Sequence, residues 1–145
     1  HAFNDVLMGG LERHATGIYI SVASSVQADG WGLAAEQLRF CRRAVRDANF
    51  RGAPVDVTVQ QWRSVWRGER LYIDPYRPFA THTIDSYLPY ETCILLDVLR
   101  EQIHQMEAKL KSIGLEEVCR AAQEFASIEY APYMPEASVL HEFIG

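Results

Sequence analysis

An apolar stripe between Pro89 and Gly114 constrains the fold of this chain more than any other feature of the sequence. The stripe recurs at spacings of three and four, which is typical of the buried face of a helix. Pro89 suits the first turn of such a helix. The stripe consists of Ile94, Leu95, Val98, Leu99, Ile103, Met106, Leu110 and Ile113. The sequence therefore predicts a third, long helix that begins near Pro89 and is interrupted by Gly114.

Two amphipathic helices are predicted before this one. The first runs from about Leu33 towards Phe50. The second begins at Asp56 or Thr58 and runs to about Gly68. Both carry arginines on their polar sides: Arg39, Arg42, Arg43 and Arg46 on the first, and Arg63 and Arg67 on the second.

The segment from Leu71 to Pro89 interrupts the helical pattern, because its three prolines exclude a long helix. Its many aromatic rings favour packing over a surface. A fourth helical segment is predicted from Leu115 to about Tyr130. With 145 residues the chain is one domain. We expect an all-α three-helix bundle with an extended leader (1–31), a helical region (32–131) containing a loop insertion (71–89), and an irregular tail (132–145).

Composition excludes several classes of protein. Apolar residues make up 48% and charged residues 23% of the chain, which argues against a disordered or low-complexity protein. No apolar run approaches the roughly 18 residues of a membrane-spanning helix. Cys41, Cys93 and Cys119 are odd in number and widely spaced, which argues against a disulfide framework and indicates a reducing compartment.

The charge distribution favours a protein partner. Residues 31–80 carry nine basic against five acidic side chains, whereas residues 81–145 carry four against eleven. Arginine outnumbers lysine twelve to two, and its planar fork suits ion pairs at interfaces. The overall net charge of −5 argues against nucleic-acid binding.

No motif assigns catalytic, cofactor-binding or metal-ligating residues. The histidines lack the HExxH spacing of a zinc site, and no glycine-rich phosphate loop is present. One enzymatic alternative stays open, a small thiol enzyme in which His82 activates Cys93 and Asp85 orients the histidine.

Three short stretches resemble the alpha-subcomplex subunit 5 family of mitochondrial NADH dehydrogenase, respiratory complex I. Ala15, Thr16, Gly17 and Ile18, followed by Ile20 and Val22, resemble its leader before the first helix. Gly114, Glu116, Glu117, Val118, Ala122 and Glu124 resemble its segment of glycine, paired glutamates, aliphatic residue, alanine and glutamate. Tyr130, Pro132, Tyr133 and Pro135 resemble its closing motif, with tyrosine in place of both tryptophans. The segment 71–89 departs from the family as an insertion.

The resemblance implies a non-catalytic accessory subunit without a cofactor. It would lie on the matrix side of the mitochondrial inner membrane, peripheral to the bilayer, and contact other subunits of the complex. Aromatic and arginine side chains are enriched in such interfaces. The candidate interface residues are Arg42, Arg43, Arg63, Arg67, Tyr72, Tyr76, Phe79, Tyr130, Pro132, Tyr133 and Pro135.

A second alternative is a mitochondrial assembly adaptor of the Leu-Tyr-Arg type, which binds acyl-carrier protein. The sequence Leu38, Arg39, Phe40, with Arg42 and Arg43 after it, is similar to that motif, although the tyrosine and the arginine are out of place.

Overall fold

The computed structural model describes Gly9 and residues 15–145, which form a mostly helical chain. The α-helices are α1 (Ala35–Phe50), α2 (Val55–Tyr72), α3 (Glu91–Gln105), α4 (Glu107–Ser112), α5 (Glu116–Glu124) and α6 (His141–Ile144). The strands are β1 (Ile18–Ser21), β2 (Val26–Ala28), β3 (Trp31–Leu33) and β4 (His82–Asp85). Single 3-10 segments span Asp74–Phe79 and Ala131–Tyr133. Among the described residues, no helix combines the length and the apolar character needed to cross a membrane.

Helix α1 lies at the centre of the core. Its start is fixed by the Gln37 side chain, which accepts a hydrogen bond from the Ala34 N–H at 2.8 Å. It packs against α2, α3 and α6. Its buried apolar side chains are Leu38, Phe40, Cys41, Ala44 and Val45. Phe40 meets Trp62 of α2 edge to face, with ring centres 5.3 Å apart. The prediction that the chain is mainly helical is confirmed, and short β-strands accompany the helices.

Helix α2 is longer at both ends than predicted. It begins at Val55, directly after Pro54, so Thr58 does not start it. The Thr58 hydroxyl is buried and donates to Asp47 at 3.2 Å, which links α2 to α1. Gly68 does not end the helix, because the Ile73 N–H still bonds to the Glu69 carbonyl. The predicted insertion 71–89 therefore starts inside the last turn of α2.

The predicted third helix is divided in two. Met106 leaves helical geometry, with φ −113° and ψ 15°, and separates α3 from α4. The apolar stripe still continues across the break, since Ile103 and Leu110 are both buried. The prediction was wrong for Val98, which is 38% exposed, and it missed Leu96, which is fully buried. The interruption at Gly114 is confirmed, and this residue adopts a φ of +83° that favours glycine.

The fourth helix, α5, ends at Glu124 rather than near Tyr130. Phe125 is extended, with φ −71° and ψ 131°. Its carbonyl accepts a hydrogen bond from Arg100 at 2.9 Å, so a contact with α3 replaces a further helical turn. Val118, Cys119, Ala121 and Ala122 form the buried face of α5.

The predicted leader and the predicted insertion are joined by a small parallel sheet. Strand β1 pairs with β4 in the register Ile18 to His82 and Ile20 to Ile84. The N–H groups of Thr81 and His82 donate to the Gly17 carbonyl, which extends the pairing. β-branched residues in both segments suit this geometry. The leader before residue 15, apart from Gly9, lies outside the described residues.

Asp85, the last residue of β4, fixes the turn after β1. Its carboxylate accepts hydrogen bonds from the N–H groups of Ala23 and Tyr87, each at 3.0 Å, and from the Ser24 hydroxyl at 2.6 Å. These bonds favour the ionised form and lower the pKa of Asp85 from 3.8 to about 2.

We expect the Asp85 bonds to make stability depend on pH. The unfolded carboxyl takes up a proton near pH 3.8, whereas the folded one does so near pH 2, so the stabilisation is present above 3.8 and is lost as the pH falls through about 2. Thermal unfolding followed by circular dichroism at pH 6 and pH 2.5 tests this. Between pH 6 and pH 2.5 the melting temperature of the wild type should fall further than that of Asp85→Asn. Equal decreases in the two proteins would contradict this role of Asp85.

The C-terminal tail is only partly irregular, because it ends in α6 and contributes to the core. Leu140 is fully buried and Phe143 is 6% exposed. The Phe143 carbonyl accepts a hydrogen bond from Asn49 at 2.9 Å, which fixes α6 against α1. The apolar spacing of Leu140, Phe143 and Ile144 is helical, and burial against α1 stabilises a helix too short to form alone.

Candidate functional site

Four arginines of α1 lie on one side of the helix and face a cavity. Arg39, Arg42, Arg43 and Arg46 are spaced at i, i+3, i+4 and i+7, so the helix geometry places them in one row. The cavity has a volume of about 310 Å3 and is called the arginine cavity below. Its other walls are β1 (Tyr19, Ile20 and Ser21) with Val22, α2 residues Trp62, Val65 and Glu69 with Ile73, and the side chains of Ser86 and Phe143.

Arg42 is held inside the protein. It is 8% exposed, and its Nε and Nη2 atoms donate to the Glu91 carboxylate at 2.9 and 2.6 Å. It also donates to the hydroxyl and the carbonyl of Ser86, at 2.9 and 2.6 Å. The guanidinium carbon lies 5.2 Å from the centre of the Phe143 ring. Arg42 is one of the predicted interface residues, and these bonds show that it also has a role within the fold.

Glu91 is the buried partner of Arg42 and has no exposed surface. Burial raises the pKa of Glu91, and the hydrogen bonds and charge of Arg42 oppose that rise. Its second carboxylate oxygen, Oε1, has no hydrogen-bond partner among the described residues. Arg42 is therefore the group that stabilises this buried charge.

The remaining arginines of the row are less fully paired. Arg39 forms an ion pair with Glu69 of α2. The Nε of Arg43 lies 3.2 Å from the Asp47 carboxylate but without the alignment of a hydrogen bond. Arg46 forms no ion pair within the described part of the chain, and its Nε is buried without a hydrogen-bond partner there. Such donors are costly to leave unpaired.

The electrostatics of the arginine cavity suit an anionic group. Among the described residues that line it are four arginines, and Glu69 is the single acidic side chain. A carboxylate or phosphate in the cavity would accept hydrogen bonds from the guanidinium of Arg46, which has no ion pair with any described residue. Charge-assisted bonds of this kind are about twice as strong as neutral ones.

Arg63 and Arg67 lie on the opposite side of α2 from the arginine cavity. Arg63 donates to the Ser112 carbonyl at 2.7 Å. Arg67 makes no ion pair with a described residue. Both line a separate and larger groove.

The predicted aromatic contacts form two groups at different places in the chain. Tyr72 and Phe79 are 70% and 71% exposed at the end of α2 and in the following 3-10 segment, and Tyr76 between them is half-buried. In the tail, Tyr133 is 81% exposed, Pro132 and Pro135 are exposed, and Tyr130 packs partly against the core. Tyr72, Phe79 and Tyr133 thus have free surface, whereas Tyr130 contributes to folding.

The residues of the thiol alternative are not arranged as a nucleophile, base and acid. His82 and Asp85 are three residues apart on β4 and point to opposite faces of the strand. The Asp85 carboxylate bonds to Ala23, Ser24 and Tyr87 instead. Burial raises the pKa of the Cys93 thiol, the reverse of what activates a nucleophile.

The sequence identifies the row of arginines on α1, but it does not show which of them are paired within the protein. Arg42 is buried against Glu91, which lies 49 residues further along the sequence. No local sequence pattern predicts a pair between residues so far apart in the chain. Arg46, the least paired member, was part of the basic row but not among the candidate interface residues. The i, i+7 spacing from Arg39 was the available signal.

Comparisons with known proteins give no relative. No family model matches the chain, and neither a curated protein nor a solved structure matches it.

Proposed function

We propose that this chain is a non-catalytic accessory subunit of mitochondrial respiratory complex I that stabilises the matrix-side peripheral arm. The order of the leader, glutamate and tyrosine-proline motifs around the helices supports this proposal, as does the mainly helical fold. In the proposal, α1, α2 and α3 are the three helices of the bundle that the resemblance implies. The protein acts by binding neighbouring subunits and takes no part in electron transfer.

The observation that carries the binding role is that Arg46, half-buried in the lining of the arginine cavity, has no ion pair with any described residue. Arg39, Arg42 and Arg43 each have an acidic neighbour in this chain, so an acidic side chain from a partner would complete the row. Arginine is the side chain best suited to such interfacial pairs. The exposed rings of Tyr72 and Tyr133 supply further contact area.

A charge reversal tests this role. We expect Arg46→Glu to reduce co-purification with the NADH-oxidising complex by at least about tenfold, since loss of an interfacial charge pair costs about 2–5 kcal/mol. The measurement is quantitative mass spectrometry of the affinity-purified complex from mitochondria that express the tagged variant. Lys109→Glu, an exposed charge reversal on α4 outside the cavity, is the matched control and should co-purify normally. Normal co-purification of folded Arg46→Glu would refute the role of the cavity.

A second candidate function is the adaptor of the Leu-Tyr-Arg type. It is favoured by one observation, that the arginines of the segment from Arg39 to Arg43 all line one cavity on α1. The two functions differ in partner. The adaptor function is supported if acyl-carrier protein co-purifies with the wild type and is lost from Arg46→Glu. The first proposal is supported if complex I subunits co-purify and acyl-carrier protein does not.

A further inference from the structure

A second, larger depression lies on the other side of α2. It has a volume of about 1000 Å3 and shares only Trp62 with the arginine cavity. It is called the tryptophan groove and is lined by Trp62, Arg63, Trp66, Arg67, Arg70 and Leu71 of α2, by Ala34, Glu36 and Gln37 at the start of α1, and by Ile113, Gly114 and Leu115. It lies between α2, the start of α1 and the turn from α4 to α5.

The groove has an apolar floor that is partly exposed. Trp62 and Leu115 are buried at its base, while Trp66 is 39% and Leu71 52% exposed. Large apolar side chains at this exposure, grouped in a concave surface, mark binding sites for apolar groups.

The rim of the groove is basic. Arg63, Arg67 and Arg70 line it, and Glu36 is the single acidic side chain among the described residues of the lining. Arg63 donates to the Ser112 carbonyl, and the Arg70 guanidinium stacks 5.0 Å above the Trp66 ring. Both are thereby held along the edge of the floor, and Arg67 between them has no ion pair to a described residue. The groove thus combines a hydrophobic base with positive charge along its rim.

We propose that the tryptophan groove docks an acidic amphipathic helix of a partner protein. From Trp62 to Leu71 the wall of α2 is about 13 Å long at roughly 1.5 Å per residue. That length fits the apolar face of about two helical turns, with side chains at i, i+4 and i+7. Glutamates or aspartates beside those positions would meet the arginine rim, so charge complementarity selects an acidic helix. The surface is distinct from the arginine cavity and does not depend on the identity of the complex.

The test uses two designed peptides and the full chain. Both peptides carry leucines at i, i+4 and i+7, flanked by glutamates in one and by lysines in the other, and each has a fluorescent label. We expect the glutamate peptide to bind in fluorescence anisotropy, and the lysine peptide to bind at least about tenfold more weakly. Arg67→Glu and Trp66→Ala should each weaken the glutamate peptide at least about tenfold, while Lys109→Glu should bind it normally.

Several results would overturn the proposal. These are no binding of the glutamate peptide, equal binding of both peptides, or binding that neither Arg67→Glu nor Trp66→Ala reduces. Sedimentation velocity addresses the competing occupant. A dimer of the wild type that Trp66→Ala dissociates would assign the groove to a second copy of this chain. The circular dichroism spectrum of each variant is compared with that of the wild type, so that loss of binding can be distinguished from unfolding.

Discussion

Replacing Arg42 with alanine is expected to destabilise the protein by about 3–5 kcal/mol, because Glu91 would be left as a buried charge without a partner. Arg42 supplies both hydrogen bonds to the Glu91 carboxylate and also holds Ser86. Urea unfolding followed by circular dichroism measures the free energy of unfolding. A loss below about 1 kcal/mol would show that the pair does not have this role.

The Arg42→Ala variant should also respond to pH in a defined direction. Burial raises the pKa of Glu91 in the folded protein, and removal of Arg42 removes the largest of the effects that oppose this rise. The folded state then binds a proton more tightly than the unfolded state, so stability falls as the pH rises above 4.5. The loss relative to the wild type should therefore be smaller at pH 5 than at pH 8.

A double substitution is the control for this pair. Arg42→Met together with Glu91→Leu replaces both charges by apolar side chains of similar length, and such exchanges are often neutral or stabilising. We expect the double variant to recover most of the stability that Arg42→Ala loses. A double variant as unstable as the single one would assign the loss to packing rather than to the buried charge.

The second large effect is expected at the C terminus. Leu140→Ala should cost about 2–5 kcal/mol, because Leu140 is fully buried where α6 packs against α1. Leu71→Ala is the matched control, since Leu71 is 52% exposed and its truncation should change stability by about 0.5 kcal/mol or less. Equal and small losses in urea unfolding would mean that the tail is not part of the core.

The sequence predicts the main helices well because their signals are local. Apolar residues at spacings of three and four identify α1 and α2, and they also place most of the buried face of α3, with Val98 as the exception. The ends are less well predicted. Gly68 is tolerated inside α2 because a single glycine costs only about 1 kcal/mol. Met106 breaks the third helix although nothing in its side chain forbids a helix.

The contacts that join distant segments have no local signal. Strand β1 pairs with β4 across about sixty residues of chain, so neither the leader nor the insertion reveals its partner. The Arg42 pair with Glu91 is of the same kind. In the tail, Leu140, Phe143 and Ile144 do have helical spacing, but only the packing against α1 shows that this short segment is buried.

The arginines of the candidate site could be predicted from the sequence, but their positions relative to the acidic residues of other helices could not. The periodicity of α1 identifies a row of four arginines on one side of the helix. It does not show that Arg42 is used by the fold, or that Arg46 is the member of the row with no ion pair to a described residue. That distinction depends on which acids of other elements approach the row, Glu69 from α2 and Glu91 from α3.

The most direct test of the proposed function is whether the native protein migrates with the NADH-oxidising complex of the source cells' mitochondria. Detergent-solubilised membranes would be separated on a native gel, stained for NADH oxidation, and analysed by mass spectrometry along the lane. We expect the wild-type chain to migrate with the NADH-oxidising band and Arg46→Glu to be depleted from it. Migration of the wild-type chain as a free small protein, away from that band, would contradict the assignment to complex I.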